Sequence, residues 1–234
     1  MAIAAPPKTY INLIRCMKKK QVKTVVGFVL DKSGSMSSCK RSTVSGFNEY
    51  IQTLKKENKR GSCKFNLTLF DTVIYQKNIN TELHDIKELT PKAYDPNGGT
   101  ALYDAAVEII EMIKDRIDEE KEKPAVLIAI MTDGEENSSK LHNEKCLKDL
   151  IHKLEHEGNW TFVFMGANQD SYQNASKIGI SRGNTMNWNS DEEGMSFAMA
   201  SFGEQSSNYL RSASLGDQVQ TKNFFDTGGK EDAS

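Results

Sequence analysis

The chain has 234 residues, of which 38% are hydrophobic and 26% are charged, and its formal net charge is −2. This length and composition allow one good hydrophobic core, so we expect a single domain with short extensions. With so small a net charge, the protein has no overall electrostatic attraction to nucleic acid or to a membrane surface. No apolar run approaches the roughly 20 residues that span a bilayer.

The first half of the chain predicts an N-terminal arm, one helix and three strands. Residues 1–20 have no sustained pattern and include two consecutive prolines, so we interpret them as an arm. A nearly continuous apolar run predicts a strand buried on both faces, and apolar residues at every third or fourth position predict a helix. In chain order, these patterns predict a strand at Lys23–Leu30, a helix at Ser38–Asn58, and strands at Cys63–Phe70 and Val73–Ile79. Only two residues separate the last two strands, too few for a parallel crossover, so this pair forms a hairpin.

The second half of the chain alternates helices with strands. The predicted elements are a helix at Thr100–Glu119, a strand at Pro124–Met131, a helix at Leu141–Glu157, a strand at Trp160–Gly166, a helix at Ser171–Ile178, a strand at Thr185–Trp188 and a helix at Glu193–Ser212. We expect Met195, Met199 and Phe202 on the buried side of the last helix, and residues 214–234 as a flexible tail. The alternation predicts an α/β fold with a doubly wound, mostly parallel sheet and one antiparallel edge strand.

Three polar segments fall where such a sheet binds ligands, beyond the carboxyl ends of its strands. They are DKSGS at Asp31–Ser35, GGT at Gly98–Thr100 and TDG at Thr132–Gly134. Each segment alone is ordinary for a turn or a helix cap. Together they place two carboxylates and three hydroxyls at one edge of the sheet. Because every donor is an oxygen, the set suits Mg²⁺, Mn²⁺ or Ca²⁺ and not zinc or copper.

In this order, the three segments resemble the metal-ion-dependent adhesion site (MIDAS) of von Willebrand factor A domains. The resemblance covers roughly Lys23–Ser212, which makes residues 21–213 the expected domain, with a Rossmann-like sheet. It implies one divalent ion, Mg²⁺ before Mn²⁺ or Ca²⁺, and five metal-site residues, namely Asp31, Ser33, Ser35, Thr100 and Asp133. The SGSM sequence at Ser33–Met36 is more similar to intracellular A domains of bacteria and phages than to secreted adhesion proteins.

The resemblance implies a binding module in which the bound ion captures an Asp or Glu of a partner protein. The alternative is a Mg²⁺-dependent hydrolase acting on a phosphate-containing substrate, because the same ion could polarise a phosphoryl oxygen. Lys32 is the only lysine or histidine in the three segments, so no general base or phosphate clamp is evident. We therefore expect a protein partner, no catalytic activity, and no nucleic acid or membrane ligand. The oligomeric state stays open.

Several other features have ordinary explanations. The sequence His152–His156 matches the H-x-x-E-H signature of inverted zinc proteases, but both histidines fall beside or opposite the apolar stripe of their helix. We expect a solvated face there. Asp71 is expected to be a turn residue. The four cysteines contain no C-x-x-C pair, and the N-terminal region lacks the charge order of a secretory signal, so we expect free thiols and a cytoplasmic location.

Overall fold

The structure, a computed structural model, describes residues 24–58, 62–118, 120, 122–167, 170–219 and 221–225. The predicted arm lies outside these residues. In chain order the strands are β1 (Thr24–Asp31), β2 (Cys63–Phe70), β3 (Ile74–Glu82), β4 (Ala125–Thr132), β5 (Trp160–Ala167) and β6 (Thr185–Trp188). The helices are α1 (Lys40–Glu57), α2 (Leu102–Asp118), α3 (Glu144–Glu155), α4 (Ser171–Lys177) and α5 (Glu192–Leu215), with short 3₁₀ turns at Gly34–Cys39, Leu83–Asp85 and Arg182–Asn184.

The six strands form one sheet in the order β3-β2-β1-β4-β5-β6. Only the β2–β3 pair is antiparallel, and β1, β2, β4, β5 and β6 run parallel. Helices α1 and α5 cover one face of the sheet, and α2, α3 and α4 cover the other. The predicted doubly wound sheet with an antiparallel edge strand is therefore confirmed. None of the described helices has the length and apolarity that crossing a membrane requires.

The strands β1, β4 and β5 are buried nearly throughout because helices cover both of their faces. Gly27 lies in the middle of β1, where α2 approaches closely. A Cβ atom there would lie 2.8 Å from the Cδ1 atoms of both Ile113 and Ile128. The missing side chain thus lets α2 pack directly on the sheet.

Three helices begin later than the sequence pattern predicts. The helix expected from Ser38 begins at Lys40, the helix expected from Thr100 begins at Leu102, and the helix expected from Leu141 begins at Glu144. In the last case the side chain of Asn143 accepts a hydrogen bond from the Cys146 backbone N–H and caps the helix. Apolar spacing cannot separate the last loop residue from the first helical turn, whereas a cap does.

The last helix and the segment after it share one core. Met195, Met199 and Phe202 are buried, as predicted. Part of the expected tail also packs here, because the Phe224 ring lies 5.9 Å from the Phe202 ring. Asn184 holds this segment, since its side chain accepts the Phe224 N–H at 2.9 Å. The mostly polar composition of the segment gave no indication that Phe224 and Phe225 pack against the core.

Candidate metal centre

The DKSGS and TDG segments meet at the carboxyl edge because β1 and β4 are neighbouring parallel strands. The Ser35 hydroxyl donates to Asp133 Oδ1 at 2.6 Å, and the Ser33 and Ser35 hydroxyl oxygens are 3.1 Å apart. Asp31 is fully buried and accepts the Ser33 N–H at 2.6 Å. The structure thus brings residues from two segments, nearly one hundred positions apart, into one hydrogen-bonded group.

Thr100, the last residue of the GGT segment, lies next to this group. Its side chain is buried, and Gly134 lies against it. A Cβ atom on Gly134 would lie 3.4 Å from Thr100 Oγ1 and 3.7 Å from Ser35 Oγ. The hydroxyls of Thr100 and Ser35 therefore both lie close to Gly134 of the TDG segment.

The first and second segments are joined by backbone hydrogen bonds. The Gly34 N–H donates to Gly98 O at 3.1 Å, and the Asn97 N–H donates to Lys32 O at 2.9 Å. Gly98 has a φ of 70°, a left-handed conformation that favours glycine. The buried Tyr94 hydroxyl donates to Asp31 O at 2.5 Å and so holds the end of β1 in place. The sequence does not predict this role of Tyr94, because no local pattern indicates that a tyrosine in a loop contacts a distant strand.

Among the described residues, no lysine or arginine forms an ion pair with Asp31 or Asp133. Burial raises the pKa of Asp31 from its ordinary 3.8 to about 6, although the hydrogen bonds from Thr132 and Ser33 lower it. Burial also raises the pKa of Asp133, against the hydrogen bonds from Ser35 and Ser190. A carboxylate with a raised pKa is stabilised by any cation placed next to it. The donor set and its electrostatics therefore fit a hard divalent ion.

The one lysine of these segments is already paired. Lys32 forms a buried ion pair with Asp71, and its Nζ atom lies 4.4 Å from the centroid of the Tyr75 ring. Asp71 does accept the Val73 N–H at 2.7 Å, as a turn residue would. Asp71 has a further role that the turn does not explain, because its carboxylate also pairs with a lysine 39 residues earlier in the chain.

Ser190 reaches the same group from the loop before α5. Its hydroxyl donates to Asp133 Oδ2 at 3.3 Å, so Asp133 accepts hydrogen bonds from two different loops. No motif marks Ser190 in the sequence. By contrast, the histidines of the H-x-x-E-H match, His152 and His156, are exposed, as expected of a solvated face. Within the described ranges, no three His, Cys, Asp or Glu side chains are grouped to hold a metal.

In the metal-free protein, we expect Asp31 to make stability fall as the pH rises from about 4 to above 6. The folded state binds the Asp31 proton more tightly than the unfolded state, because the folded pKa is about 6 and the ordinary value is 3.8. The cost of ionising Asp31 is absent at low pH and complete above pH 6, where it reaches about 3 kcal/mol at most. Urea unfolding with chelator, compared between wild type and Asp31→Asn, isolates this group. A difference between the two proteins that stays constant with pH would contradict the expectation.

Neither a protein-family model nor a curated protein sequence matches this chain. Solved structures do match its fold. Proximal thread matrix protein 1 from the mussel byssus, with a zinc-occupied MIDAS motif, matches with a TM-score of 0.58 at 16% identity. The match covers 82% of this chain and 48% of the mussel protein, so the chain spans about half the length of that protein.

Two isolated domains match over nearly their whole length. The vWF domain of the type V pili tip protein Mfa5 from Porphyromonas gingivalis has a TM-score of 0.58 at 10% identity, covering 82% of this chain and 97% of that domain. The SpRpn10 VWA domain has a TM-score of 0.52 at 11% identity, covering 77% and 94% respectively. At these identities the likeness is one of fold, and that fold is the von Willebrand A type.

Proposed function

We propose that this chain is a divalent-metal-dependent protein-binding module. Its metal-site residues are Asp31, Ser33, Ser35, Thr100 and Asp133, and the partner presents an Asp or Glu side chain. The observation that supports this proposal is the convergence of two undercompensated carboxylates and three hydroxyls from three loops at one sheet edge. The zinc-occupied MIDAS motif of the mussel protein, which shares this fold, is consistent with such a site.

The donor chemistry favours Mg²⁺ for this chain. Mg²⁺ prefers oxygen ligands and is usually held by one or two carboxylates while it keeps other positions for water or a ligand. When bound, such an ion supplies an electrophilic point that an acidic side chain can contact. The residues of this chain would hold the ion, and Tyr94 and Ser190 would hold the loops around it. A cytoplasmic location and a bacterial or phage type stay predictions from the sequence.

The hydrolase alternative receives no support from the placement of Lys32. Its amine is engaged by Asp71, Tyr75 and, at 3.5 Å, the Asp95 carbonyl. Two of its three N–H donors thus have acceptors, and the Asp71 carboxylate already neutralises its charge. Incubation with generic phosphoesters in Mg²⁺ tests this directly, since turnover that Asp31→Ala abolishes would favour the enzyme.

A peptide selection tests the binding function without a known partner. A displayed random peptide library would be bound to the immobilised protein in Mg²⁺ and eluted with chelator. We expect the selected peptides to share an Asp or Glu, and a synthetic peptide with that carboxylate replaced by its amide to lose binding. Selected peptides that share no acidic residue, or whose amide versions bind equally well, would overturn the proposed capture of a carboxylate.

We expect Thr100→Ala to weaken binding of the selected peptide more than binding of Mg²⁺. A neutral hydroxyl contributes less to retention of a dication than a carboxylate does, so much of the Mg²⁺ affinity should remain. Peptide affinity should fall by a factor of about ten or more, equivalent to roughly 1.4 kcal/mol. The reason is that the Thr100 hydroxyl can replace a charged ligand and leave the ion more attractive to an incoming carboxylate.

Both affinities should be measured on one preparation of Thr100→Ala. The matched control is Thr53→Ala, which changes an exposed threonine on α1 and should alter neither affinity. Retained peptide binding together with lost Mg²⁺ binding would show that the proposed division between hydroxyl and carboxylates is wrong.

A further inference from the structure

Asp104 is a buried carboxylate in the first turn of α2, outside the three metal-site segments. Its side chain accepts three consecutive backbone N–H groups from the β4–α3 loop, those of Lys140 at 2.7 Å, Leu141 at 3.1 Å and His142 at 2.7 Å. Only 8% of Asp104 is exposed. Hydrogen bonds to an ionised acceptor are roughly twice as strong as neutral ones. Asp104 thus fastens one end of the loop that begins at Asp133.

Glu136 folds the middle of the same loop. Its Oε1 atom accepts the backbone N–H groups of Ser138 at 2.8 Å and Ser139 at 2.7 Å. Its Oε2 atom accepts the Ser139 hydroxyl at 2.7 Å and the Tyr103 N–H at 3.0 Å. The Ser139 hydroxyl oxygen in turn accepts the Asp104 N–H at 3.2 Å. The first turn of α2 and the β4–α3 loop are therefore joined by hydrogen bonds in both directions.

The folded loop is bonded to Thr100 itself. Asn137 Oδ1 accepts the Thr100 N–H at 2.9 Å, and the N–H groups of Asn137 and Ser138 donate to Thr100 O at 3.0 and 3.2 Å. The contact is close, since a Cβ atom on Gly99 would lie 2.2 Å from Ser138 Oγ. Consequently, Thr100 and the loop that starts at Asp133 form one hydrogen-bonded unit.

We propose that Asp104 is a positioning residue of the candidate metal centre. By folding the β4–α3 loop onto α2, Asp104 fixes the position of Asp133 relative to Thr100. This inference rests on the proposed metal-binding function. A loop that is ordered before the ion arrives loses less conformational freedom on binding, so the ion is held more tightly. Residues in direct contact with metal ligands typically change metal affinity by about 10–100-fold. Asp104 acts on Thr100 through the loop residues Asn137 and Ser138, so we expect an effect near the lower end of this range.

Asp104→Asn is the direct test because it preserves size and removes the charge and one acceptor atom. Mg²⁺ affinity, measured by calorimetry at a temperature where the variant is folded, should fall about tenfold or more. Asn137→Ala, which removes the acceptor of the Thr100 N–H at an exposed position, should also weaken Mg²⁺ binding. This second variant keeps the inference testable if Asp104→Asn does not fold.

Two controls separate positioning from stability. Asp115→Asn changes an exposed aspartate on the same helix and should leave Mg²⁺ affinity unchanged. Ile117→Ala removes a buried side chain at the far end of α2, so it should lower stability without altering Mg²⁺ affinity. A fall in affinity with Ile117→Ala as large as with Asp104→Asn would show that Asp104 acts only through stability and would overturn the proposal.

Amide hydrogen exchange of the metal-free protein gives a readout independent of metal. In Asp104→Asn, exchange should accelerate at residues 137–142 and at Thr100, and stay unchanged in β5. Unchanged exchange at these positions would overturn the proposal. If the wild type binds Mg²⁺, an equal Mg²⁺ affinity in Asp104→Asn would also overturn it. A wild type that binds no Mg²⁺ would instead refute the proposed function from which the inference starts.

Discussion

Asp31→Asn is expected to weaken Mg²⁺ binding by more than about 100-fold, beyond the effect typical of residues one contact removed from a metal. Asp31 is the fully buried carboxylate of the site, and burial has raised its pKa to about 6. A divalent ion next to Asp31 would strongly stabilise the ionised form of this carboxylate. The amide keeps the size of the side chain but carries no charge, so the attraction for a dication is lost.

The metal-free Asp31→Asn protein should remain folded, because the substitution removes a buried charge without creating a cavity. Isothermal titration with Mg²⁺ and circular dichroism on the same sample test both expectations. Asp149→Asn, an exposed aspartate paired with Lys145 on α3, is the control and should bind Mg²⁺ like the wild type. A Mg²⁺ affinity in Asp31→Asn equal to that of the control would refute the metal-site assignment.

Phe202→Ala is expected to reduce the free energy of unfolding by about 4 kcal/mol, in the range measured for buried Phe→Ala changes. The Phe202 ring is fully buried where α5 crosses α1, with ring centroids at 4.9 Å from Tyr50, 5.5 Å from Phe28 and 5.9 Å from Phe224. Truncation removes these contacts and leaves a cavity that helices on a sheet cannot close fully. The loss is a large part of the roughly 5–15 kcal/mol that stabilises an ordinary domain.

The same helix offers a matched control in Phe197, which is 65% exposed. Phe197→Ala should change the free energy of unfolding by no more than about 0.5 kcal/mol, as is usual for surface substitutions. Urea unfolding of the three proteins compares the changes directly. If Phe202→Ala and Phe197→Ala were destabilised equally, the packing of α5 on α1 described above would be incorrect.

The sequence alone was sufficient to predict the sheet and most of the candidate metal centre. Continuous apolar runs predicted β1, β4 and β5, because strands covered on both faces have no polar side. Only two residues separated the strands predicted at Cys63–Phe70 and Val73–Ile79, which required the antiparallel pair that β2 and β3 form. The DKSGS, GGT and TDG segments could be assigned to one sheet edge, since the carboxyl ends of parallel strands share an edge whatever their separation in sequence.

Only the tertiary structure decided which polar groups pair across the loops. Asp71 had a local explanation as a turn residue, and its ion pair with Lys32 became visible only when β2 lay beside β1. Asp104 seemed an ordinary residue of a helix start until three N–H groups of a loop 36 to 38 residues later were placed against it. Phe224 likewise anchors a segment whose composition predicted flexibility.

The division has a physical reason. Apolar periodicity and turn chemistry depend on neighbours within a few residues, so they can be read along the chain. A hydrogen bond between distant segments forms only after the core has fixed the distance between them, and many loop residues carry suitable donors or acceptors. The sequence therefore determined the strands and the sheet edge at which the three polar segments lie, whereas the packing of α2 and its loop decided which residues hold that edge in place.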